Sequence, residues 1–278
     1  PELTEIAAQA GYDFVSLRPI ALGIPDEPKH PLATDPVLRR RTRAALAATG
    51  VKLLDIELAR LHADVDVRDY LPAMEAAAEL GARHVLSSAW CADRALVQQQ
   101  FAQLCELARP LGLTVDLEYV PVATVHDLAG AVDVLRTINR PNAGLMVDMH
   151  HVHRARDNPA DLDALPREWF HFAHLCDAPA EIPTDRQELI RIMREARMYV
   201  GEGGIDVAGI LDHVPPCVYS IELPNKARHE EVGYAEHATQ TFAGLSLASI
   251  AVAALIGARS SGRGCHVDLS IAEAFLAG

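Results

Sequence analysis

Four short apolar runs in this chain each end on a side chain that can hold a metal ion. Thr114–Val120 (TVDLEYV) carries Glu118 near its end, and Gly144–His151 (GLMVDMHH) carries Asp148 and His151 in an Asp-x-x-His spacing. Phe170–Asp177 (FHFAHLCD) carries His174 and Asp177, and Tyr219–Asn225 (YSIELPN) carries Glu222 just before Pro-Asn. A charged carboxylate at the end of a buried strand is costly unless something compensates it. Three such carboxylates converging on one point repel one another; a divalent cation removes that repulsion and takes up an imidazole as well. Three oxygen donors and one nitrogen suit Mn2+, Mg2+ or Co2+, with Zn2+ a further option. Taken singly, each residue has a commonplace reading: a strand-end Glu usually pairs with a cation or caps a helix, and a His in FHFAHL usually sits satisfied in a core. The coincidence on successive strands is what carries the metal reading. His150, His153 and His171 read as surface or structural residues.

These side chains need elements that bring four strand ends together. Short β-branched runs alternate with Ala/Leu/Glu/Arg-rich stretches of helical period. The spacing predicts strands at Asp13–Arg18, Lys52–Leu58, His84–Ala89, Thr114–Val120, Gly144–His150, Phe170–Asp177 and Val218–Leu223. It predicts helices at Pro36–Thr49, Val67–Leu80, Asp93–Leu111, Thr124–Ile138 and Gln187–Ala196, with glycine stops at Gly50 and Gly81. Repeated βα units mean a parallel sheet. No G-x-G-x-x-G follows a strand, and polar residues gather at strand ends along the whole chain: Arg18, Glu57, Glu118, Asp148, His174 and Glu222. A closed (β/α)8 barrel, which brings all strand ends to one mouth, fits that pattern better than an open sheet. The first strand of such a barrel is missing ahead of Pro1, and Val267–Ile271 (VDLSI) is a spare strand at the other end. The expected division is a barrel over 1–240 and a helix-strand tail over 241–278.

Composition narrows the partners. Acidic residues outnumber basic ones 38 to 25, giving a formal net charge of −13. The basic stretch Arg39–Arg43 has the pattern of a solvated helix face, so a nucleic-acid partner is not expected. Five cysteines with no C-x-x-C argue for reduced thiols and a cytoplasmic protein. Phe242–Ala258 is uncharged but rich in Ala, Ser and Gly, and reads as a buried helix, not a membrane span.

The order Glu, Asp-x-x-His, His-x-x-Asp, Glu-x-Pro-Asn resembles the xylose-isomerase-like TIM barrels, a superfamily that includes endonuclease IV. GYDFVSLRP, LLDIELARL and GEGGIDVAGIL are similar to its sugar phosphate isomerase/epimerase branch. The resemblance implies Glu118, Asp148, His174 and Glu222 as ligands, His151 as a substrate contact, and Asp177 as the group that orients the His174 ring. Arg18, Glu57 and Arg186 are further candidates for substrate contacts. The implied activity is metal-dependent isomerisation or epimerisation of a sugar or keto sugar, with proton abstraction by Glu118 or Glu222 next to a metal-bound carbonyl and an enediolate intermediate. The alternative is a lyase of the same fold that dehydrates a cyclic keto acid such as 3-dehydroshikimate, with Arg18 as the partner for its carboxylate. From another class, the chain could be a non-catalytic or truncated barrel whose open edge favours self-association. Gly244–Ala277 resembles a piece of the family III CoA-transferases. It is expected either as an appended remnant or as the source of the missing strand, with VDLSI between the first and last strands.

Overall fold

The computed structural model describes residues 2–22 and 30–241. The chain opens on helix α1 (Glu2–Gln9), which leads through Gly11, in the left-handed region, into strand β1 (Phe14–Leu17). Then follow α2 (Pro36–Thr49), β2 (Lys52–Leu61), α3 (Leu71–Glu79), β3 (His84–Ala89), α4 (Arg94–Ala108) and β4 (Thr114–Glu118). The second half runs α5 (Leu128–Ile138), β5 (Ala143–Asp148), α6 (Met149–Ala155), β6 (Phe172–Leu175), α7 (Arg186–Glu195), α8 (Val207–Leu211), β7 (Val218–Ile221) and α9 (Lys226–Val232). A further helix covers 234–241. None of the helices among the described residues is long and apolar enough to cross a membrane.

Aspartates mark the helix starts. Asp35, Asp93, Asp127, Asp148, Asp185 and Asp206 each accept a backbone N–H of the first turn of the helix that follows. Such a cap is worth about 1 kcal/mol. Gly50 ends α2 at φ 75°, where a Cβ would be strained. Between caps the apolar faces do the packing. Phe101, Leu104 and Cys105 of α4 are fully buried with Val85 of β3 and Leu117 of β4 in one continuous cluster. Burial of each large side chain stabilises by roughly 1.5–3 kcal/mol.

The seven strands form one parallel sheet in sequence order, β1-β2-β3-β4-β5-β6-β7. Each parallel step needs a crossover, which the helices supply. The sheet curls: Arg18, Arg60, Trp90, Glu118, His151 and Glu222, from strand ends distributed across the sheet, line one cavity. This is the (β/α) barrel arrangement. Among the described residues β1 pairs only with β2 and β7 only with β6. A cavity of about 610 Å³ lies along this seam, lined by Phe14–Ser16, Val218–Ile221 and the apolar face of α1. The expected strand Val267–Ile271, the helix Phe242–Ala258 and the CoA-transferase-like stretch lie outside the described residues, as does Cys265.

Several expected boundaries move for local reasons. The fifth strand stops at Asp148, not His150, because the Asp148 Oδ1 accepts the His151 N–H at 3.1 Å and starts α6. The sixth is Phe172–Leu175, because Asp177 leaves the ladder to pair with Met198. The second strand extends to Leu61, pairing residue by residue with Ser87–Ala89. The helix expected at Val67–Leu80 begins as a 3₁₀ turn, Val67–Tyr70, ahead of Pro72.

Candidate metal centre

Strands β4 to β7 end side by side, so one polar residue from each meets the others. Glu118, Asp148, His174 and Glu222 place one ligand atom each within 4.8 Å of all the rest. The His174 Nδ1 faces three carboxylates, at 3.2 Å from Glu222 Oε2, 3.6 Å from Glu118 Oε1 and 3.8 Å from Asp148 Oδ2. Glu118, Asp148 and His174 are buried, and Glu222 is three-quarters covered. The Glu118 Oε1 is buried without a hydrogen-bond partner. Such an atom costs on the order of 1–3 kcal/mol if nothing satisfies it. A dication at this point would satisfy it, and an O3N donor set fits a hard or borderline ion.

A cation that the sequence reading missed already stands here. Arg197 is 2% exposed; its Nη1 donates to Asp148 Oδ2 at 2.6 Å and its Nη2 lies 3.0 Å from Glu222 Oε2. Burial penalises the charge on Glu222, but Arg197 and His174 outweigh it and hold the carboxyl well below the ordinary carboxylate range. Burial likewise opposes ionisation of Asp148, and Arg197 together with His151 lowers it. Glu118 touches no guanidinium of this kind, and burial pushes its carboxyl up. His174 is driven well up against burial by Glu222 and Glu118. The only sequence signal for Arg197 is a lone Arg in the apolar stretch Ala196–Val200, which has neither helical nor strand period.

The remaining expected site residues divide. His151 reaches the centre, its Nε2 3.8 Å from Glu118 Oε1, and it lines the mouth. Arg18 also lines the mouth, and its Nη2 lies 2.5 Å from Glu57 Oε2. Glu57 faces the seam cavity together with His174 and Glu222. Arg186 is not at the mouth cavity; it opens α7 and donates to the Val122 carbonyl at 2.7 Å. Asp177 does not orient His174. Its Oδ1 accepts the N–H groups of Ala178 and Ile205, and its Oδ2 those of Gly201 and Gly203, so it pins the Gly201–Ile205 loop. The His174 Nε2 has no hydrogen-bond partner.

A second missed residue is an acid. Asp55 on β2 is fully buried, accepts a hydrogen bond from Ser16 Oγ, and leaves Oδ2 without a partner. Burial, then the nearby charge of Glu57, pushes its carboxyl up to about 8. The folded protein therefore holds this proton more tightly than the unfolded chain, whose Asp titrates near 3.9. The stability it contributes is present at low pH and is lost as pH rises from about 4 through about 8. Asp55→Asn, which keeps the group neutral, is expected to match the wild type in thermal stability near pH 3, below both values. At pH 9 it should exceed the wild type, by an amount on the order of several kcal/mol. A stability difference that does not change over this range would refute the assignment.

The family model described as xylose isomerase-like TIM barrel matches residues 4–241. The inosose isomerase of Bacillus subtilis (strain 168) is 25% identical over 174 residues, which is 56% of this chain and 59% of that protein. The 3-dehydroshikimate dehydratase of Pseudomonas aeruginosa is 30% identical over 128 residues, 46% of this chain and 20% of that protein. The chain thus spans only part of the length of either relative. In three dimensions it is similar to a crystal structure of the IOLI protein with a bound zinc atom, at a TM-score of 0.69 and 21% identity, covering 90% of this chain and 92% of that one.

Proposed function

We propose that this chain, which belongs to the xylose isomerase-like TIM barrel family, is a divalent-metal-dependent isomerase or epimerase of a sugar or keto sugar. The observation that carries the reading is the convergence of Glu118, Asp148, His174 and Glu222 within 4.8 Å around a buried, unpartnered carboxylate oxygen. These four would hold the ion, and zinc, magnesium, manganese and cobalt all fit the donor set. When bound, the ion would supply Lewis acidity toward a carbonyl and its neighbouring hydroxyl.

The protein's own part is proton transfer and placement. Glu118 ends β4 and Glu222 follows β7, and both line the mouth. One takes the proton from the carbon beside the carbonyl, and the other returns a proton to the same carbon or its neighbour. His151, whose Nε2 lies 3.8 Å from Glu118 Oε1, also lines the mouth and donates to or accepts from a substrate hydroxyl. Arg197 holds Asp148 and Glu222 in place and ionised, whatever occupies the mouth.

A second reading, dehydration of a cyclic keto acid, uses the same base and then expels a β-hydroxyl. Four arginines at the mouth favour it, since such a substrate carries a carboxylate. Purified protein is expected to contain about one divalent ion per chain and to exchange a substrate α-proton with solvent deuterium. Loss of water from a cyclic keto acid, with no exchange into any keto sugar, would move the assignment to the lyase. Absence of bound metal after dialysis against each candidate ion would remove both readings.

A further inference from the structure

A second group of metal-competent side chains sits at the opposite ends of the strands. His84 opens β3, Asp116 lies on β4 two residues after its start at Thr114, and His171 immediately precedes β6. One ligand atom from each lies within 4.8 Å of the other two. The His171 Nδ1 is 2.6 Å from Asp116 Oδ1, and the His84 Nδ1 is 3.8 Å from Asp116 Oδ2. This group is distinct from the metal centre at the mouth. Asp116 stands two residues before Glu118 on the same face of β4, about 6.6 Å back along the strand. The Phe172 ring packs against both groups, its centroid 5.2 Å from the His84 ring and 5.7 Å from the His174 ring.

The surroundings are built to hold these three side chains together. Asp116 is fully buried, and among the described residues its ion-pair partners are the two imidazoles, with no guanidinium of the kind that Arg197 supplies to Asp148. The Thr114 hydroxyl donates to Asp116 Oδ2 at 2.8 Å and lies 2.7 Å from His84 Nδ1, so it fixes two of the three side chains, as the outer partners of metal ligands do. Gly144 on β5 faces the group, and a Cβ there would run into Asp116 Oδ1 and the His171 ring. The missing side chain is what lets His171 reach across β5 to β4. Among the described residues β5 and β6 pair only at Val147–Ala173 and Asp148–His174, whereas β4 and β5 pair from Val115–Ala143 to Glu118–Met146. The contact between His171 and Asp116 therefore joins the strands before the β5–β6 ladder begins.

We infer that His84, Asp116 and His171 form a second dication site, a zinc clamp that ties together the starts of β3, β4 and β6. Two imidazole nitrogens and one carboxylate oxygen suit Zn2+, with water completing the shell. The His171 side chain is 21% exposed, so the site is reached from solvent. The ion replaces the proton between His171 and Asp116, which leaves to the buffer, and meets the buried Asp116 charge directly. The nitrogen-rich donor set separates this site from the mouth, whose three oxygens and one nitrogen also accept Mg2+. At this end of a barrel the role is stability and not turnover, and the site stands independently of the activity proposed for the mouth.

Metal analysis of the full chain after equilibrium dialysis tests it, against Zn2+ in one arm and Mg2+ in the other. The wild type should hold about two zinc ions per chain and no more than about one magnesium ion. His171→Gln and Asp116→Asn should each remove about one zinc ion per chain and leave the magnesium content unchanged. Glu118→Gln should do the reverse, reducing magnesium and leaving the clamp zinc in place. His171 is half-buried and Asp116→Asn is isosteric; should either variant fail to fold, His84→Gln reads the same loss. Zinc should also raise the melting temperature of the wild type by more than that of His171→Gln, because the variant has one fewer site linked to folding. A wild type holding a single zinc that Glu118→Gln removes, or a second zinc that survives both His171→Gln and Asp116→Asn, would overturn the clamp. A single zinc lost in His171→Gln and kept in Glu118→Gln would support the clamp and count against an ion at the mouth.

Discussion

Glu118→Gln and Glu222→Gln are each expected to lower turnover by about 10²–10⁴ at saturating substrate and metal, the usual worth of a positioned acid or base. Each should also weaken dication binding by more than the roughly 10- to 100-fold that loss of an outer partner costs. The environments of the two carboxyls differ. Glu222 is kept ionised by Arg197 and His174, whereas burial raises Glu118, which has no guanidinium against it. A dication bound between them would favour the ionised form of both, and an ionised carboxylate is competent as a base. Asp148→Asn separates ligand from base, because Asp148 is committed to Arg197 and to capping α6 and has no spare role in proton transfer. Its defect should be relieved by excess metal, while those of the two glutamate variants should persist. Wild-type metal affinity in all three variants, or full rescue of Glu118→Gln by metal, would remove these residues from the roles proposed.

The convergence of Glu118, Asp148, His174 and Glu222 was legible because these residues sit where apolar runs stop, a position that burial makes expensive for any uncompensated charge. Strand and helix identity was legible for the same reason: strands His84–Ala89 and Thr114–Glu118 are short, β-branched or apolar runs between Asp-capped or Gly-stopped helices. What the chain did not reveal is how irregular segments return to the site. Arg197 lies in a stretch without period, and the antiparallel bridges Asp177–Met198 and Ala196–Asn225 bring it beside Asp148 and Glu222. The Asp177–Met198 bridge carries Asp177 away from His174 and onto the Gly201–Ile205 backbone, so the His-x-x-Asp spacing misleads about its partner. Asp55 and Arg60 share a strand whose register shifts between Ile56 and Ala59, and nothing in LLDIELARL marks that shift. Among the described residues β1 and β7 each have a single ladder partner, so the sheet is open along the seam between them.

Replacing Arg197 by Met should destabilise the metal-free protein by about 3–5 kcal/mol, the cost of leaving buried carboxylates without their cation. At roughly 2–4 °C per kcal/mol for a chain of this order of size, the melting temperature should fall by on the order of 10 °C. Met has similar length and no charge, so the change reports electrostatics more than volume. In the wild type Arg197 bridges Asp148 and Glu222 at 2.6 and 3.0 Å and thereby performs, in the absence of an ion, part of the charge compensation that an ion would perform. The two compensations are therefore partly redundant. Addition of a dication should raise the melting temperature of Arg197→Met by more than that of the wild type, because binding to the folded state is linked to stability and the variant has more repulsion to relieve. Lys at this position keeps the charge but not the fork of two donors, and should fall between the two. Equal melting temperatures for metal-free wild type and Arg197→Met, or equal gains from metal in both, would mean that Arg197 is not what holds the two carboxylates together.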